Sequence, residues 1–268
     1  MVLELNCRAR RWASHLAIYG LVVALTNGAS APVWAGEGFR IETTIYQGEE
    51  KEPASKATTL FVDGVVYDFL AKPEETAVFR KPIADKPGRF ILLNDKLRLQ
   101  TEVSTDKLAG TMNKLRDWAS RQANPYLQFA AAPKFDETYD RTKGTLVLAS
   151  KLETYTVKTN PTQHQDALVD YREFLDWYTQ LNSLLNTKSP PDPRLQLNDA
   201  LARHKVVPEK VELKREGQDP IRAEHDFTWR LSQDDLQRVD DVRTALTNYR
   251  KVDNEEFVKL GEEAKPVK

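Results

Sequence analysis

The sequence predicts an α+β domain in which an antiparallel sheet is covered by amphipathic helices. Three observations support this fold class. Residues 208–231 contain two alternating apolar and polar runs around a turn, the dipeptide Asp63-Gly64 joins two short apolar runs, and apolar residues elsewhere recur at helical spacing. The first two patterns are typical of antiparallel hairpins, and the third is typical of helices that pack on a sheet.

The second arm of the 208–231 hairpin is the longest alternating run in the chain. Its apolar side consists of Ile221, Ala223, His225, Phe227, Trp229 and Leu231. Residues 216–220 are rich in turn formers, so this arm should pair with the shorter run around Val211. A strand over residues 221–231 would span about 36 Å, and we expect other strands to align on it.

A series of strands is predicted between residues 39 and 103. Residues 39–45 alternate, and residues 58–62 and 65–70 flank Asp63-Gly64, a dipeptide that favours the type I′ turn of a tight hairpin. Residues 76–80 and 89–93 indicate two further strands. Leu97, Leu99, Thr101 and Val103 then alternate with charged or polar residues, as in a half-buried strand.

Helical spacing predicts two helices in the middle of the chain. The first follows the capping residue Ser104, and its apolar stripe fits packing on the sheet better than a lid over a cavity. That stripe is Leu108, Met112, Leu115 and Trp118. The second helix should start at Asn160, with Pro161 at its first position and Gln163 at its third. Its stripe is Ala167, Tyr171, Phe174, Tyr178, Leu181 and Leu185.

The remaining segments complete a single domain. Residues 145–157 indicate a strand or hairpin, residues 193–204 a short helix, and Ser232 with Asp235 a capping box that starts a C-terminal helix. The proline-rich residues 188–193 are interpreted as a loop within one domain, because the strand pattern resumes soon after them. We therefore expect one α+β domain over residues 36–260 and a flexible tail over residues 261–268.

Residues 1–35 have the layout of a secretory signal peptide. Arg8, Arg10 and Arg11 precede an uncharged, largely apolar stretch over residues 12–25, and small residues follow up to Ala35. The apolar stretch would span about 21 Å as a helix, less than the roughly 30 Å of a bilayer core, so cleavage is favoured over a permanent anchor. Cleavage after Ala35 is favoured over cleavage after Ala31, and the mature protein should be periplasmic or secreted.

Composition excludes several functional classes. The chain has 39 basic and 40 acidic residues, so no net field would attract nucleic acid. Its only cysteine, Cys7, lies in the segment that would be removed. The mature chain would thus have no thiol for a disulfide, a nucleophile or a thiolate metal site. After cleavage we expect no stable membrane anchor.

Motifs that carry chemistry are missing from the sequence. It contains no glycine-rich phosphate loop, no nucleophile elbow and no His-Glu-x-x-His motif. The histidines His164, His204 and His225 do not have metal-ligand spacing. His225 lies on the apolar side of the longest run, which favours a core or cavity-wall histidine over a catalytic base. We expect no enzyme activity, no cofactor and no metal.

Two groups of carboxylates are candidates for a substrate or cation site. Asp136, Glu137 and Asp140 form the first group, and the pairs Asp234-Asp235 and Asp240-Asp241 form the second. Both fit a solvated surface better, and acids in the first turn of a helix also favour its dipole.

The order of elements resembles that of the LolA-type periplasmic lipoprotein carriers. The resemblance rests on the signal peptide, the segment over residues 60–67, the following helix and the late hairpin that begins at residues 207–213. It implies an incomplete, strongly curved barrel that is covered by helices and holds acyl chains in an apolar cavity. The long aromatic helix over residues 160–186 and the C-terminal helix depart from the family, and no residue matches its functional arginine.

The resemblance and the apolar pattern together give an expected ligand site and function. Cavity candidates on the inner face of the sheet are Tyr67, Phe69, Leu97, Leu99, His225, Phe227 and Trp229. The expected function is a secreted, non-enzymatic cell-envelope protein that binds or carries an apolar ligand, either a lipid or the acyl chains of a lipoprotein. The alternative is an envelope interaction or scaffold protein with a filled core and no ligand. A hydrolase is the third possibility.

Overall fold

The strands belong to one open sheet. The computed structural model describes residues 38–71, 74–187 and 189–264, and in this part the sheet has 12 strands. They are β1 (Gly38–Gln47), β2 (Ser55–Val62), β3 (Val65–Ala71), β4 (Glu74–Arg80), β5 (Arg89–Asn94), β6 (Leu99–Ser104), β7 (Asp136–Asp140), β8 (Thr145–Ala149), β9 (Glu153–Pro161), β10 (Val206–Arg215), β11 (Ile221–Thr228) and β12 (Arg250–Lys251).

The order across the sheet is β12-β6-β5-β4-β3-β2-β1-β11-β10-β9-β8-β7. Neighbouring strands are antiparallel except for the short edge strand β12, which is parallel to β6. The two edge strands, β12 and β7, do not pair with each other, so the sheet does not close into a barrel. The predicted α+β fold with a curved, open antiparallel sheet is confirmed.

Helices cover much of this sheet. In the described residues they are α1 (Thr105–Ala119), α2 (Pro125–Ala131), α3 (Gln165–Asn182), α4 (Asp192–His204), α5 (Gln233–Asn248) and α6 (Asn254–Glu263). A π-helical turn, Ser183–Thr187, continues α3. The capping signals explain two of the starts, because the side chain of Ser104 caps α1 and the predicted capping box of Ser232 and Asp235 begins α5.

The face that carries Phe61 is the inner face of the sheet. Its buried residues on β1 to β6 pack against α1 and α3, and the cluster consists of Phe39, Ile41, Phe61, Val66, Phe79, Phe90, Val103, Leu108, Tyr171, Phe174 and Leu181. Helix α4 covers the other half of the same face, where Leu197 and Leu201 pack with Val211 and Ala223. Ala223 and Phe227 are an even number of residues apart on β11, so both clusters lie on one face.

The outer face is divided into an apolar half and a polar half. Helix α5 covers β2 to β5, where Val239 and Val242 pack with Leu60 and Val78. On β11, by contrast, the residues between the inward ones are Arg222, Glu224 and Asp226, of which Asp226 is exposed. Strands β2 to β5 are therefore apolar on both faces, as expected for a sheet that helices cover on both sides.

The early strands match the sequence analysis closely. Asp63 and Gly64 have φ angles of 51° and 72°, the positive values that a type I′ hairpin turn needs. Leu60 pairs with Tyr67 and Phe61 pairs with Val66 across that hairpin. The strands predicted at residues 39–45, 76–80 and 89–93 are present as β1, β4 and β5, and residues 145–157 form most of the β8-β9 hairpin.

Three predicted boundaries are wrong. The long helix begins at Gln165 and not at Asn160, because Asn160 and Pro161 extend β9 and pair with Val207 and Val206 of β10. Strand β6 begins at Leu99, because Arg98 closes a turn with a φ of 53°. Strand β11 ends at Thr228, three residues before Leu231, which packs with Val239 on the outer face.

Several short elements had no sequence prediction, namely α2, β7, β12 and α6. Helix α6 extends through Gly261 to Glu263, three residues past the predicted end of the domain. The side chain of Asp253 caps this helix, and Thr101 of β6 donates a 2.8 Å hydrogen bond to its Asn254. The signal peptide expected over residues 1–35 and the last residues, 265–268, lie outside the described residues.

Candidate functional site

The aromatic core of the inner face reaches solvent in a cleft at the N-terminal end of α3. This cleft has a volume of about 690 Å³. Its floor consists of Phe39, Phe61, Val66 and Phe79, and Trp229 lies at its rim. Each floor residue is buried, so the cleft continues the core outward and is not a surface dimple.

Stacked rings line one side of this cleft. The His164 and Trp229 rings stack with centroids 4.2 Å apart, and the Trp229 and Phe39 centroids are 5.4 Å apart. Phe39 in turn stacks on Phe61 at 4.1 Å. The end of β11 at Thr228 frees Trp229 to turn towards the first turn of α3, where His164 is the N-cap residue. Aromatic faces of this kind suit an aliphatic or planar apolar ligand.

Charged side chains occupy the opposite side of the cleft. Lys81 Nζ lies 2.8 Å from Asp170 Oδ1 of α3, and this hydrogen bond raises the pKa of Lys81. Burial raises the pKa of the neighbouring Glu173 carboxyl, and the negative charge of Asp170 acts in the same direction. The cleft is thus amphipathic, with an aromatic floor and a charged rim.

Farther along α3, the helix itself fills the inner face. Phe174 packs edge-on against Phe61 with ring centroids 5.7 Å apart, and its ring lies 5.2 Å from that of Tyr178. Phe79 and Phe90 pack beside it on the sheet. The sequence left open whether the sheet encloses a cavity or a solid core, and in this region the rings of α3 occupy the space.

A buried carboxyl lies beneath the C-terminal half of α3. Asp68 of β3 is 5% exposed, and its Oδ1 accepts a 2.7 Å hydrogen bond from the Thr59 hydroxyl. The Tyr178 hydroxyl donates a second hydrogen bond to the same carboxyl. Burial raises the pKa of Asp68, whereas the two hydrogen bonds lower it. These contacts satisfy the carboxyl and connect α3 to two strands.

His225 lies on the inner face beneath α3 and α4. Its Nδ1 is 3.0 Å from the Thr43 hydroxyl, whereas its Nε2 is buried and has no hydrogen-bond partner among the described residues. Burial lowers the pKa of His225 to about 3, and the positive charge of Arg194 contributes in the same direction. The imidazole is therefore neutral near pH 7 and is a weak base, as the sequence interpretation of a core or cavity-wall histidine implies.

The structure does not bring the predicted cavity residues together. His225, Phe227 and Trp229 lie on the inner side, and Phe227 contacts Tyr171 of α3 with ring centroids 5.3 Å apart. Tyr67 and Phe69 lie on the outer face with α5, where the guanidinium of Arg238 lies 4.0 Å from the Phe69 ring centroid. The prediction that Tyr67 and Phe69 lie on the inner face was therefore wrong.

The physical reason is the double burial of β3. Because helices cover both faces of this strand, both of its faces are apolar, and its alternation does not reveal which face is inner. Leu97 and Leu99 lie in neither of these two regions. They line a separate open cleft of about 640 Å³ together with Leu260 of α6. Leu97 lies in the turn before β6, so it is not an inward strand residue.

Several of the candidate carboxylates form structural contacts. Glu137 binds Arg203 and His204 of α4, and the Arg203 hydrogen bond lowers the pKa of Glu137. Asp235 completes the cap of α5, and Asp240 forms an ion pair with Arg243. No group of three or more acids, histidines or cysteines in the described residues has a geometry suited to a metal ion.

Sequence reasoning missed the floor of the cleft and Arg194. The floor residues Phe61 and Phe79 were placed on strands, but nothing local showed that they face α3. Pairing of Phe61 with Val66 across the Asp63-Gly64 turn could have grouped these two residues. Arg194, in the first turn of α4, belongs to no motif.

Comparisons with known proteins identified no relative of this chain. No protein-family model matches the chain, and a search of curated proteins gave no significant match. None of the helices in the described residues is long and apolar enough to cross a membrane.

Proposed function

We propose that this protein is an exported, non-enzymatic component of the cell envelope that binds or carries an apolar ligand, either a lipid or lipoprotein acyl chains. The ligand enters between α3 and the inner face of the sheet. The observation that carries this proposal is the cleft at the N-terminal end of α3, where the buried rings of Phe39, Phe61 and Phe79 form the floor of an open space.

The dimensions and lining of the cleft support this proposal. Its volume of about 690 Å³ is within the range of roughly 300–1,000 Å³ that small-molecule sites have. An acyl chain gains about 0.8 kcal/mol for each CH₂ group that leaves water, so a short buried segment already gives measurable affinity. The charged rim, Lys81 and Asp170, keeps the mouth of the cleft hydrated.

The contacts that hold the N-terminal part of α3 are weak, so this part of the helix can act as a movable cover of the cleft. Its N-cap residue His164 makes no capping hydrogen bond through its side chain, and a π-helical turn follows its C-terminal end. The Lys81–Asp170 pair that holds its first half is more than a third exposed, and such pairs contribute about 0–1 kcal/mol. Moving the first turns of α3 would therefore break few strong polar contacts.

The chemistry of the site favours binding over turnover. His225 has a pKa of about 3, which makes it a poor proton acceptor near pH 7. The cation at the mouth, Lys81, is engaged with Asp170.

The alternative is an interaction or scaffold protein. It is favoured by the filled core beneath Phe174 and by apolar side chains that α1, α3 and the π-helical turn leave exposed. These side chains are Trp118, Val169, Leu184 and Leu185.

Native mass spectrometry of protein purified from the cell envelope, followed by solvent extraction, tests the proposal. We expect a stoichiometric lipid or acyl chain in the wild-type protein. Trp229→Arg should lose it, because the substitution places a charge at the mouth, and the matched control Trp118→Arg on the surface of α1 should retain it. Thermal melts of both variants show whether they are folded. A ligand-free wild-type protein that also takes up no added fatty acid or fatty alcohol contradicts the proposal and favours the scaffold.

A further inference from the structure

Two buried polar groups beneath α3 and α4 have no hydrogen-bond partner in the described part of the chain, and the charge of Arg194 acts on both. These groups are the hydroxyl of Tyr171 and Nε2 of His225. Tyr171 is only 5% exposed, and its ring packs edge-on against Phe227. A buried polar atom without a partner destabilises the fold, so two of them on neighbouring residues of the inner face need an explanation.

The third group is the guanidinium of Arg194. Its Nε donates a 3.1 Å hydrogen bond to the Asn198 side chain, and the amide of Asn198 donates in turn to Asp176 at 3.0 Å. Arg194 forms no ion pair with any described residue. Its positive charge nevertheless acts on two buried groups. It lowers the pKa of His225, and it opposes the rise that burial causes in the pKa of Tyr171.

Arg194, Tyr171 and His225 together offer more hydrogen-bond donors than acceptors. A guanidinium has donors only, and a tyrosine hydroxyl can donate one hydrogen. His225 is neutral, and when the Thr43 hydroxyl donates to Nδ1, the remaining ring proton is on Nε2. These three side chains thus offer mainly hydrogen-bond donors, and the positive charge of Arg194 forms no ion pair with a described carboxylate. A partly buried cation without a counter-charge is the environment in which an anion is most favourable.

A row of contacting rings, Tyr171, Phe227 and Trp229, leads from this polar group to the rim of the apolar cleft. His225 and Phe227 are alternate residues on β11, and Trp229 follows at the same spacing. The distance from His225 to Trp229 is roughly 13 Å along an extended chain. The seam between α3 and this segment therefore has a cationic, donor-rich end at Arg194 and an aromatic end at the mouth of the cleft.

We propose that Arg194, Tyr171 and His225 bind the carboxylate head of a fatty acid, whose aliphatic tail follows Phe227 and Trp229 to the cleft. This inference rests on the proposed function, because it specifies the apolar ligand as a single-chain carboxylate amphiphile. Arg194 supplies the counter-charge, and the tyrosine and histidine donate to the carboxylate oxygens that its guanidinium leaves free.

Calorimetric titration of delipidated protein with dodecanoate and with 1-dodecanol separates the head from the tail. We expect wild-type protein to bind dodecanoate at least about tenfold more tightly than the alcohol. Arg194→Met should abolish this preference and leave the affinity for the alcohol unchanged. Tyr171→Phe, which keeps the ring and its packing, should weaken dodecanoate binding by roughly threefold to tenfold.

Arg203→Met is the matched control, because Arg203 lies on the same helix but binds Glu137 and Asp199 at the surface. It should leave both affinities unchanged. Equal wild-type affinity for the acid and the alcohol would overturn the carboxylate site and leave the apolar binder intact. Binding of neither compound would overturn the proposed function as well. Equal losses for both compounds in Arg194→Met would show that the arginine only supports α4.

Discussion

Two buried polar groups under the same helix differ in how completely they are satisfied. Beneath the C-terminal half of α3, Asp68 receives hydrogen bonds from Thr59 and Tyr178. Beneath the N-terminal half, the hydroxyl of Tyr171 and Nε2 of His225 have no partners within the described residues. Both groups lie on the inner face of one sheet, so the difference does not arise from burial.

The comparison separates structural polar groups from a candidate binding site. Buried polar atoms in folded proteins are nearly always paired, because an unpaired one costs about 1–3 kcal/mol. A complete network such as that of Asp68 fixes the helix on the sheet. An incomplete one that lies beside an open aromatic cleft is where a ligand can supply the missing partners.

The largest expected effect concerns another buried carboxylate, at the start of β9. Glu153 is 1% exposed, and its Oε2 accepts hydrogen bonds from Arg215 at 2.6 Å and from the Tyr126 hydroxyl at 2.8 Å. Arg215→Met would leave a buried carboxylate without its cation. We expect the free energy of unfolding to fall by about 3–5 kcal/mol, measured by urea denaturation.

A double variant tests the cause of that loss. Adding Glu153→Gln to Arg215→Met removes the uncompensated charge, so most of the stability should return. If the double variant is as unstable as Arg215→Met, the loss comes from packing of the arginine and not from the buried charge.

The next effect is the pH dependence that His225 gives to stability. Its folded pKa of about 3 lies below the ordinary value of 6.5, because burial and the charge of Arg194 oppose protonation. The unfolded chain therefore takes up a proton that the folded chain does not, and stability is lost as the pH falls from about 6 towards 3. The slope should be about 1.4 kcal/mol per pH unit.

Urea denaturation at pH 7, 6, 5 and 4 would be compared between the wild type and His225→Gln. Carboxylates contribute equally to both proteins, so the difference between them isolates the histidine. The advantage of the wild type should shrink steadily below about pH 6. Parallel curves would mean that His225 is not shielded from protons as the structure indicates.

A matched pair of substitutions on α3 tests the comparison itself. Tyr178→Phe removes a hydrogen bond to buried Asp68 and should lower the unfolding free energy by about 1–3 kcal/mol. Tyr171→Phe removes a buried hydroxyl without a described partner, so in delipidated protein it should not lower this free energy and should raise it by up to about 1–3 kcal/mol. Thermal and urea denaturation measure both, and equal losses would contradict the distinction between the two groups.

The smallest effect is expected at the rim of the cleft. Lys81 and Asp170 are each more than a third exposed, so Lys81→Met should cost less than about 1 kcal/mol. That cost should decrease further in 1 M salt, where the screening length is about 3 Å. A larger, salt-independent loss would show that the pair holds α3 in place, which would argue against a movable cover.

The sequence correctly predicted those elements whose structure is determined by neighbouring residues in the chain. Asp63-Gly64 specifies a tight hairpin because both residues adopt positive φ, and Ser232 with Asp235 specifies the start of α5 through its own hydrogen bonds. The antiparallel α+β fold follows from such elements, together with the alternation of β11.

Signals that compete with long-range pairing were misleading. Asn160-Pro161 looks like a helix start, but pairing with β10 extends β9 through both residues. Tyr67 and Phe69 do lie on one side of β3, as their alternation predicts. The alternation cannot show which side faces α3, because α5 covers the other side and makes it apolar as well.

The candidate site was only partly accessible to sequence reasoning. His225, Phe227 and Trp229 were found because they share one side of an alternating run. Arg194 was not, because its position beneath α3 arises from the packing of α3 beside α4, which no local pattern encodes. The unpaired state of Tyr171 is likewise a property of the assembled core.

A crystal structure of the full chain with dodecanoate tests the central claim most directly. The account predicts electron density for the carboxylate within hydrogen-bond distance of Arg194, Tyr171 and His225, with the tail passing Phe227 towards Trp229 and the first turn of α3. Density for water alone among the three polar groups, with α3 unmoved and the cleft filled only by solvent at saturating ligand, would contradict it.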